Sequence, residues 1–428
     1  MKFAKIIICI FFLFVITACE DKNIFPHPNR EPIKPVGMDI KLGDVFAMPD
    51  GRAAAFIKLE GKKELEIPYA IAIIDRNGHY TLSDTIFIES FEDDYTSPIK
   101  SFSVSMSNDI YVIYRFFLDG DVYTIFTKID GDGHEVYQQD FYMDEKIDGE
   151  NFSFFLYDHY QMLNNGDLAI FNYHVSCDEN CECTLYFADN NERRMFEYQI
   201  DLESEYCFTD VFSFEDKIIL YNGLDYSDLM KLQKDGEYEG INCKEYKILN
   251  IDGTIGKSGE SQLPIQYFKY VDGSVYMVTG NFQKKYTNTT DTVAYQWFIT
   301  KMDAFGNIVY TTDEPIKACS LLENITIENG TLMIPGLVLN DDNEKNGAIF
   351  LIDDNVGKIK EQIVLNYSAC SVMPCVISPD GKGEYDIFAL VYHEYDNPPD
   401  KRNFSADTDG GKIFVYHTDD LHKFQITD

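Results

Sequence analysis

The sequence predicts an all-β protein built from a repeated unit of about 55 residues. An apolar residue, then Asp, then a turn containing Gly recurs along the chain, as in Ile74-Asp75 with Gly78 and Met302-Asp303 with Gly306. A second turn precedes the Asp turn in each unit. These second turns lie at positions 51, 108, 166, 216, 273, 330 and 381, which are 50 to 58 residues apart. Short apolar runs separate these turns, which is typical of β-hairpins. The chain is also rich in strand-forming aromatic residues, with 32 Phe and 29 Tyr.

Each unit has room for about four short strands, and four-stranded sheets set radially around a channel form a β-propeller. Seven units of about 55 residues would fill about 385 positions, close to the 391 positions of residues 38–428. Seven four-stranded blades therefore fit best, with six or eight left open. We expect residues 38–46 to complete the last blade, because closure removes an open sheet edge. A pair of β-sandwiches would explain the strands but not the period.

The first 18 residues have the layout of a secretory signal peptide. Lys2 and Lys5 precede an unbroken apolar run from Ile6 to Ile16, and small residues lead to Cys19. The run has 11 residues, whereas a membrane-spanning helix needs about 20. We therefore expect removal of residues 1–18 and export of the remainder.

Residues 19–37 form an acidic, proline-rich segment ahead of the repeats. Four prolines fall between positions 20 and 37, a density that favours an extended spacer. Without the two lysines of residues 1–18, the 36 basic residues fall to 34 against 72 acidic ones, a formal charge of −38. Nucleic acid is thereby excluded as an expected partner, because phosphate binding requires a basic surface.

Ile16-Thr17-Ala18-Cys19 resembles a bacterial lipobox, and Glu20 and Asp21 follow at once. With the repeated turns, these residues make the chain similar to the secreted β-propeller lipoproteins of Bacteroidota. The resemblance implies cleavage before Cys19, fatty acylation of that residue such as palmitate, and anchoring in the outer membrane facing the cell exterior. It also implies a role in surface binding or polysaccharide uptake, but it supplies no catalytic residue.

The cysteines leave three interpretations open. Eight of the ten remain once Cys9 and Cys19 are set aside, an even number in an exported protein. His174 with the three cysteines that follow could bind zinc, but the one-residue gap between the last two makes an awkward chelate, so we predict no metal site. Unpaired cysteines are the third interpretation. The candidate disulfide pairs are Cys177 with Cys181 or Cys183, and Cys370 with Cys375.

No catalytic motif stands out. The chain has no Gly-x-Ser-x-Gly elbow and no His-Glu-x-x-His, and we predict neither catalytic residues nor a cofactor. Asp130-Gly131-Asp132-Gly133 starts like a calcium loop but lacks its later ligands. It belongs to the repeated turn, where the Asp carboxylate accepts backbone N–H groups.

One loop is the candidate ligand contact. Tyr392, His393 and Tyr395 lie in a segment that ends in two prolines, and loops carry function more often than the strands of a propeller. We therefore expect a lipid-anchored binding or scaffold protein whose ligand is a glycan, a peptide or a partner protein. The alternative is a secreted polysaccharide-active hydrolase or lyase with its site in the central pocket.

Overall fold

The computed structural model describes the chain from Val45 to Phe424 with gaps, and within the described part it is built almost wholly of antiparallel strands. Side chains of several strands, including all of sheet 3 below, fall outside the description. The described ranges are 45–59, 66–89, 99–105, 107–118, 121–142, 157–162, 168–175, 181–188, 195–199, 210–221, 244–250, 254–287, 290–339, 345–365, 370–393 and 412–424.

Thirty strands in these ranges form seven sheets, numbered 1 to 7 here in chain order. Sheet 1 contains β1 (Val45–Ala47), β2 (Ala53–Lys58), β3 (Glu66–Ile74), β4 (Tyr80–Leu82) and β5 (Ile86–Glu89). Sheet 2 contains β6 (Ile99–Val104), β7 (Ile110–Leu118), β8 (Asp121–Ile129) and β9 (Glu135–Tyr142). Sheet 3 contains β10 (Tyr157–Met162), β11 (Leu168–Val175), β12 (Cys181–Ala188) and β13 (Met195–Gln199). Sheet 4 contains β14 (Asp210–Phe214), β15 (Lys217–Tyr221), β16 (Glu245–Asn250) and β17 (Ile255–Glu260).

Sheet 1 has a fifth strand, and the last three sheets also depart from the four-strand pattern. Sheet 5 contains β18 (Ile265–Val271), β19 (Ser274–Thr287), β20 (Thr290–Met302), β21 (Ile308–Thr311) and β22 (Ile316–Ala318). Sheet 6 contains β23 (Ser320–Leu321), β24 (Thr326–Glu328), β25 (Thr331–Leu339), β26 (Lys345–Asp353) and β27 (Ile359–Leu365). Sheet 7 contains β28 (Cys370–Pro379), β29 (Tyr385–His393) and β30 (Lys412–Thr418), and a 3₁₀ helix follows at Leu421–Phe424. The inner strand of sheet 6 is split, because β23 and β24 both pair with β25.

The seven sheets close into a ring. Each sheet contacts the next through strands near the centre, such as β6 with β10, β10 with β14, and β14 with β18. The ring returns to its start where β28 of sheet 7 contacts β1 of sheet 1. The all-β propeller prediction is confirmed, and its preferred count of seven matches the sheets in the described part of the chain.

The core lies between successive sheets rather than in one central mass. On β2, Ala53, Ala55 and Ile57 pack toward sheet 7, whereas Ala54 and Phe56 pack toward sheet 2. Side chains of a strand alternate between the two faces of its sheet, so a strand that is covered on both faces is apolar at every position. Full burial of one such Ile stabilises the fold by about 1.5–3 kcal/mol, and Ile57 is fully buried.

The expected closure of the last blade by residues 38–46 is wrong for Val45 and Phe46. These two residues belong to β1, which pairs with β2 as the innermost strand of sheet 1. The pairing of Val45 with Ala55 commits this segment to the first sheet rather than the last. Residues 38–44 lie outside the described residues, as do the predicted signal peptide and the 19–37 segment. Within the described ranges, no helix is long and apolar enough to cross a membrane.

Candidate functional site

The ring has two unlike ends. In an antiparallel sheet the first-to-second and third-to-fourth turns lie at one end, and the second-to-third connection lies at the other. We call the first end the turn face. The other end, the loop face, also carries the connections between sheets. The strand ends that flank the longest second-to-third connections lie there, Tyr221 with Glu245 and His393 with Lys412.

The repeated Asp turn builds much of the turn face. In the turns that begin at Asp75, Asp130, Asp303 and Asp380, the Oδ1 atom accepts the N–H groups two and four residues later, at 2.7–3.0 Å. The donated N–H groups of Lys382 and Glu384 lower the pKa of Asp380. The turn interpretation of Asp130 is confirmed. Among the described residues, no group of three acidic, His or Cys side chains could hold a metal ion.

These turns also join neighbouring sheets. The turn between β20 and β21 lies against sheet 4, where the Lys257 ammonium donates to the Gly306 carbonyl at 2.6 Å and to Asn307 Oδ1 at 3.1 Å. A Cβ atom on Gly306 would meet the side chain of Ile248 in sheet 4. The φ of +78° at this residue also favours glycine. The recurring glycine therefore has two roles, in the turn and in the contact between sheets.

Asp354, in the turn between β26 and β27, joins sheets 5 and 6. Its carboxylate accepts the hydroxyls of Tyr276 at 2.7 Å and Tyr310 at 3.1 Å, and the Lys301 ammonium at 2.5 Å. Burial raises the pKa of both tyrosines, and the hydrogen bond to Asp354 and its negative charge raise it further. Because every polar group in this buried cluster has a partner, the cluster holds two sheets together rather than offering a reactive group.

Arg76 makes the corresponding joint where the ring closes. It lies in the turn between β3 and β4 of sheet 1 and donates to the Pro379 carbonyl of sheet 7 at 3.3 Å. Its Nε atom lies 3.4 Å from Asp386 Oδ2, and the other Asp386 oxygen lies 2.8 Å from Nδ1 of His417. Burial raises the pKa of Asp386, and the hydrogen bond to Asp386 raises the pKa of His417.

Residues 322–325, between β23 and β24, form what we call the central loop. Asn324 in this loop is buried, and its Nδ2 atom donates to the carbonyls of Val45 at 2.7 Å and Cys375 at 2.9 Å. Its Oδ1 atom accepts the N–H of Ala47 at 3.2 Å. One amide thus joins the inner strands of sheets 1 and 7 to a loop of sheet 6.

The central loop also meets sheet 5. The Tyr267 hydroxyl donates to the Leu322 carbonyl at 3.1 Å. Lys269, on the same inner strand, is half-buried, and burial lowers its pKa while the charge of Glu323 opposes this shift. The central loop of sheet 6 therefore contacts sheets 1, 5 and 7 near the axis, and its described polar groups stabilise the ring.

The predicted site residues lie at several places. Tyr392 and His393 end β29 at the loop face, paired with Ser371 and Cys370. Tyr395 lies outside the described residues, as do Cys19 and Cys177. The prediction that Tyr392 and His393 belong to a loop is wrong, because both are paired residues at the end of β29. Their contact with a ligand stays a prediction.

The candidate pairing of Cys370 with Cys375 is wrong. The Cys375 thiol is free, fully buried, and donates to the Met373 carbonyl at 3.4 Å. Both cysteines lie in β28, and five residues of extended chain span about 15 Å, whereas a disulfide requires Cα atoms within about 7 Å. Burial raises the pKa of Cys375 to about 12. Cys181 and Cys183 lie in β12, and their pairing with Cys177 stays a prediction.

Sequence reasoning missed two features, the central loop and the long hairpin of β19 and β20. Gly280-Asn281 lies inside β19 and resembles a turn pair, so the sequence pattern did not indicate a strand of this length. Trp297, near the base of the hairpin, is buried, and its Nε1 atom donates to the Ala318 carbonyl at 3.0 Å.

No protein-family model and no curated protein sequence matches the chain. Among solved structures it is similar to BamB from Moraxella catarrhalis, with 11% identity, 88% of this chain and 83% of that one covered, and a TM-score of 0.37. It is similar to the quinohemoprotein alcohol dehydrogenase from Comamonas testosteroni, with 10% identity, 84% and 67% coverage, and a TM-score of 0.42. It is also similar to the polysaccharide lyase Uly1, with 9% identity, 93% coverage of each chain, and a TM-score of 0.42. Similarity at this level carries no information about activity, substrate or partner.

Proposed function

We propose that the chain is a lipid-anchored binding or scaffold protein of the outer cell surface, with its ligand held at the loop face. The observation that carries this proposal is that the two ends of the ring differ in structure. The described polar clusters at the turn face and the centre join neighbouring sheets, as Asp354 and Asn324 do. The strand ends that flank the longest connections lie at the opposite end, and loops on a rigid frame commonly carry binding residues.

The anchor is the acyl group that the lipobox resemblance implies at Cys19, and the 19–37 segment would serve as the tether. Mass spectrometry of the mature protein should find fatty acid on Cys19. A Cys19→Ala variant should leave the membrane fraction. Protease added to intact cells should cleave the wild-type protein if it faces outward. Recovery of an unacylated protein that still follows the membrane would refute this anchor.

The binding role is tested by capture from intact cells with the anchored protein. One variant shortens the connection 394–411 at the loop face, and a matched control replaces exposed Lys382 in a turn at the opposite face with Gln. The loop variant should lose the captured glycan or protein, and the control should keep it. Equal capture by both variants would contradict a site at the loop face. Breakdown of a captured glycan would instead support the hydrolase or lyase alternative.

A further inference from the structure

The outermost strand of sheet 5, β21, has one edge without a partner strand. Among the described strands it pairs only with β20. Across this pair the N–H of Thr312 donates to the Ile299 carbonyl at 3.0 Å. Because neighbouring residues of a strand direct their backbone groups to opposite sides, the N–H and carbonyl of Thr311 point away from β20. The edge therefore presents backbone groups that a further strand could pair with.

The exposed side chains of this edge are apolar. Ile308 and Val309 in β21 are 60% and 56% exposed, and Phe305, in the turn before the strand, is 74% exposed. These three are among the eight large hydrophobic residues that are exposed in the described part of the chain, and they fall within five positions. The exposed apolar surface is thus concentrated on one strand and its turn.

The neighbouring turn of sheet 6 extends this surface. Val356 in that turn is exposed, and a Cβ atom on the next residue, Gly357, would meet the ring of Tyr310 in β21. The turn of sheet 6 therefore lies directly against β21. We call the following five residues the β21 edge: Phe305, Ile308, Val309, Thr311 and Val356.

The phenyl ring of Phe305 is not required by its turn. The Asp turn uses the backbone N–H of this residue, which donates to Asp303 Oδ1 at 2.9 Å. In the turns of sheets 1, 2 and 7 the same position holds the polar residues Asn77, Asp132 and Lys382. An exposed aromatic ring at this position therefore has its use outside the turn.

Most of the other outermost strands carry charges, which discourage an edge from pairing with another chain. Charged residues interrupt β9, β13, β17 and β27, as Lys257 and Glu260 do in β17. β21 reads Ile-Val-Tyr-Thr and has no charge. β4 of sheet 1 is also uncharged, but it has three residues and its apolar side chains are less exposed. Among these strands β21 is the one best suited to accept a partner strand.

The charges around the β21 edge are balanced, although the chain has a formal charge of −36. Residues 301–317 contain three acidic and two basic residues, residues 353–360 contain two of each, and Lys257 adds one basic residue. Several of these charges are already engaged, since Lys257 donates to the Gly306 carbonyl and Lys301 contacts Asp354. Charge complementarity therefore favours an uncharged ligand segment.

A second copy of the chain suits this edge less well than a different protein. Each copy would bring a formal charge of −36, and two bodies of the same charge repel each other. A stable interface between folded proteins uses about 20–30 residues a side, whereas the β21 edge is a narrow strip along one strand. A strip of this shape fits a single extended segment.

We propose that the β21 edge binds an extended, uncharged segment of a partner protein as an additional strand of sheet 5. Backbone hydrogen bonds along β21 would supply affinity, and apolar side chains at alternate positions of the segment would pack against Phe305, Ile308 and Val356. The edge lies at the outer rim of the ring, beside the turn face. The inference therefore goes beyond the proposed function and does not depend on a ligand at the loop face.

The probe is a blocked synthetic peptide, Ser-Val-Thr-Val-Thr-Val-Ser, labelled for fluorescence anisotropy and titrated with the full mature protein in detergent. We expect saturable binding that changes by less than about twofold with salt, because neither side of the contact uses charge. The same peptide with Pro in place of both Thr cannot extend a sheet and should not bind. Absence of saturable binding, or equal binding of the Pro peptide, would overturn the inference. Binding at least about fivefold tighter after Lys or Glu replaces the terminal Ser would overturn the uncharged ligand class.

Two pairs of variants locate the contact. Thr311→Pro removes the outward N–H and should weaken binding about fivefold, the effect of one hydrogen bond. Thr311→Val is its matched control, since both variants lose the hydroxyl contact with Thr300 but only the first loses the N–H. Ile308→Lys should weaken binding about fivefold or more, because it places a charge against apolar side chains. Ile255→Lys makes the same change on exposed β17 of sheet 4 and should leave binding within about twofold.

Equal losses within either pair would contradict a contact at the β21 edge. Circular dichroism and the fluorescence of Trp297 report whether each variant is folded. If Thr311→Pro does not fold, the two lysine variants decide the question alone.

Two further measurements, on the mature chain carrying Cys19→Ala, test the other possible occupants. Sedimentation velocity should show a monomer, and a dimer that Ile308→Lys dissociates would assign the edge to a second copy. Phosphatidylcholine vesicles should not bind the chain, and binding that Phe305→Ser abolishes would assign the edge to a lipid surface. Either of these results would overturn the inference.

Discussion

Asn324 should be among the most destabilising positions to change, although it is distant in sequence from its partners. Its amide makes hydrogen bonds to Val45, Ala47 and Cys375, and the residue is 6% exposed. Asn324→Leu keeps the approximate size and removes all three hydrogen bonds. The change leaves two carbonyls and one N–H without a partner at the centre of the ring. Each unpaired buried group costs about 1–3 kcal/mol.

With the lower value for each of the three groups, the free energy of unfolding should fall by about 3 kcal/mol. At an m-value of about 3 kcal/mol/M, the urea midpoint should fall by about 1 M. The exposed Asn355 is the matched control, since its amide serves only its own turn at Asp353. Asn355→Leu should change stability by about 0.5 kcal/mol or less.

Two probes follow the unfolding of this variant. Circular dichroism reports all the strands, and the fluorescence of Trp297 reports the space between sheets 5 and 6. If the central loop ties the ring together, both signals should shift by the same amount. A midpoint of Asn324→Leu within 0.2 M of the wild type would refute the reasoning. A shift in circular dichroism alone would show that sheets 7 and 1 separate independently.

Three further substitutions test the joints between sheets. Gly306→Ala should cost about 1–2 kcal/mol more than Gly381→Ala by urea unfolding, because both have a φ near +78° but only the first approaches a neighbouring sheet; equal costs would contradict the contact. Asp354→Ala should cost about 3 kcal/mol, because it leaves a half-buried lysine and two buried hydroxyls without the carboxylate that they contact; a change below 1 kcal/mol would contradict it. Asp386 raises the pKa of His417 above 6.5. Protonated His417 therefore stabilises the fold fully below pH 6.5, and this stabilisation is lost as the pH rises through the pKa of His417 in the folded protein. His417→Gln should therefore be less stable than the wild type at pH 5.5 and match it at pH 9 by urea unfolding, and a difference that grows with pH would contradict the assignment.

The turns were predictable from the sequence because their chemistry is local. Asp303 and Gly306 are three residues apart, and the hydrogen bonds to Asp303 come from N–H groups two and four residues later. A side chain that serves its own turn leaves a fixed spacing, and the repetition of that spacing gave the sheet count. The pairing of Asp272 and Gly273, both with positive φ, is likewise the local signature of a two-residue hairpin.

The central loop was not predictable for the opposite reason. The atoms that Asn324 contacts are backbone groups, and those in β1 lie 277 and 279 positions away. Any residue could supply these carbonyls and this N–H, so no residue pattern marks them. The assignment of Val45 failed in a similar way, because an apolar strand fits the inner edge of the first sheet as well as the outer edge of the last.

The two faces differ in what a change of length would cost. An insertion into the turn from Asp303 to Asn307 would displace the contact with Lys257 and the fit of Gly306 against sheet 4. Loss of this contact would lower the free energy of unfolding by about 1–2 kcal/mol. An insertion into a flexible surface loop costs only loop-closure entropy, about 0.6 kcal/mol for a doubling of its length. A change of length therefore costs much less in a connection that makes no contact with a neighbouring sheet than in the turn from Asp303 to Asn307. The proposed binding role assigns the ligand to the loop face, where such changes would leave the described joints between sheets in place.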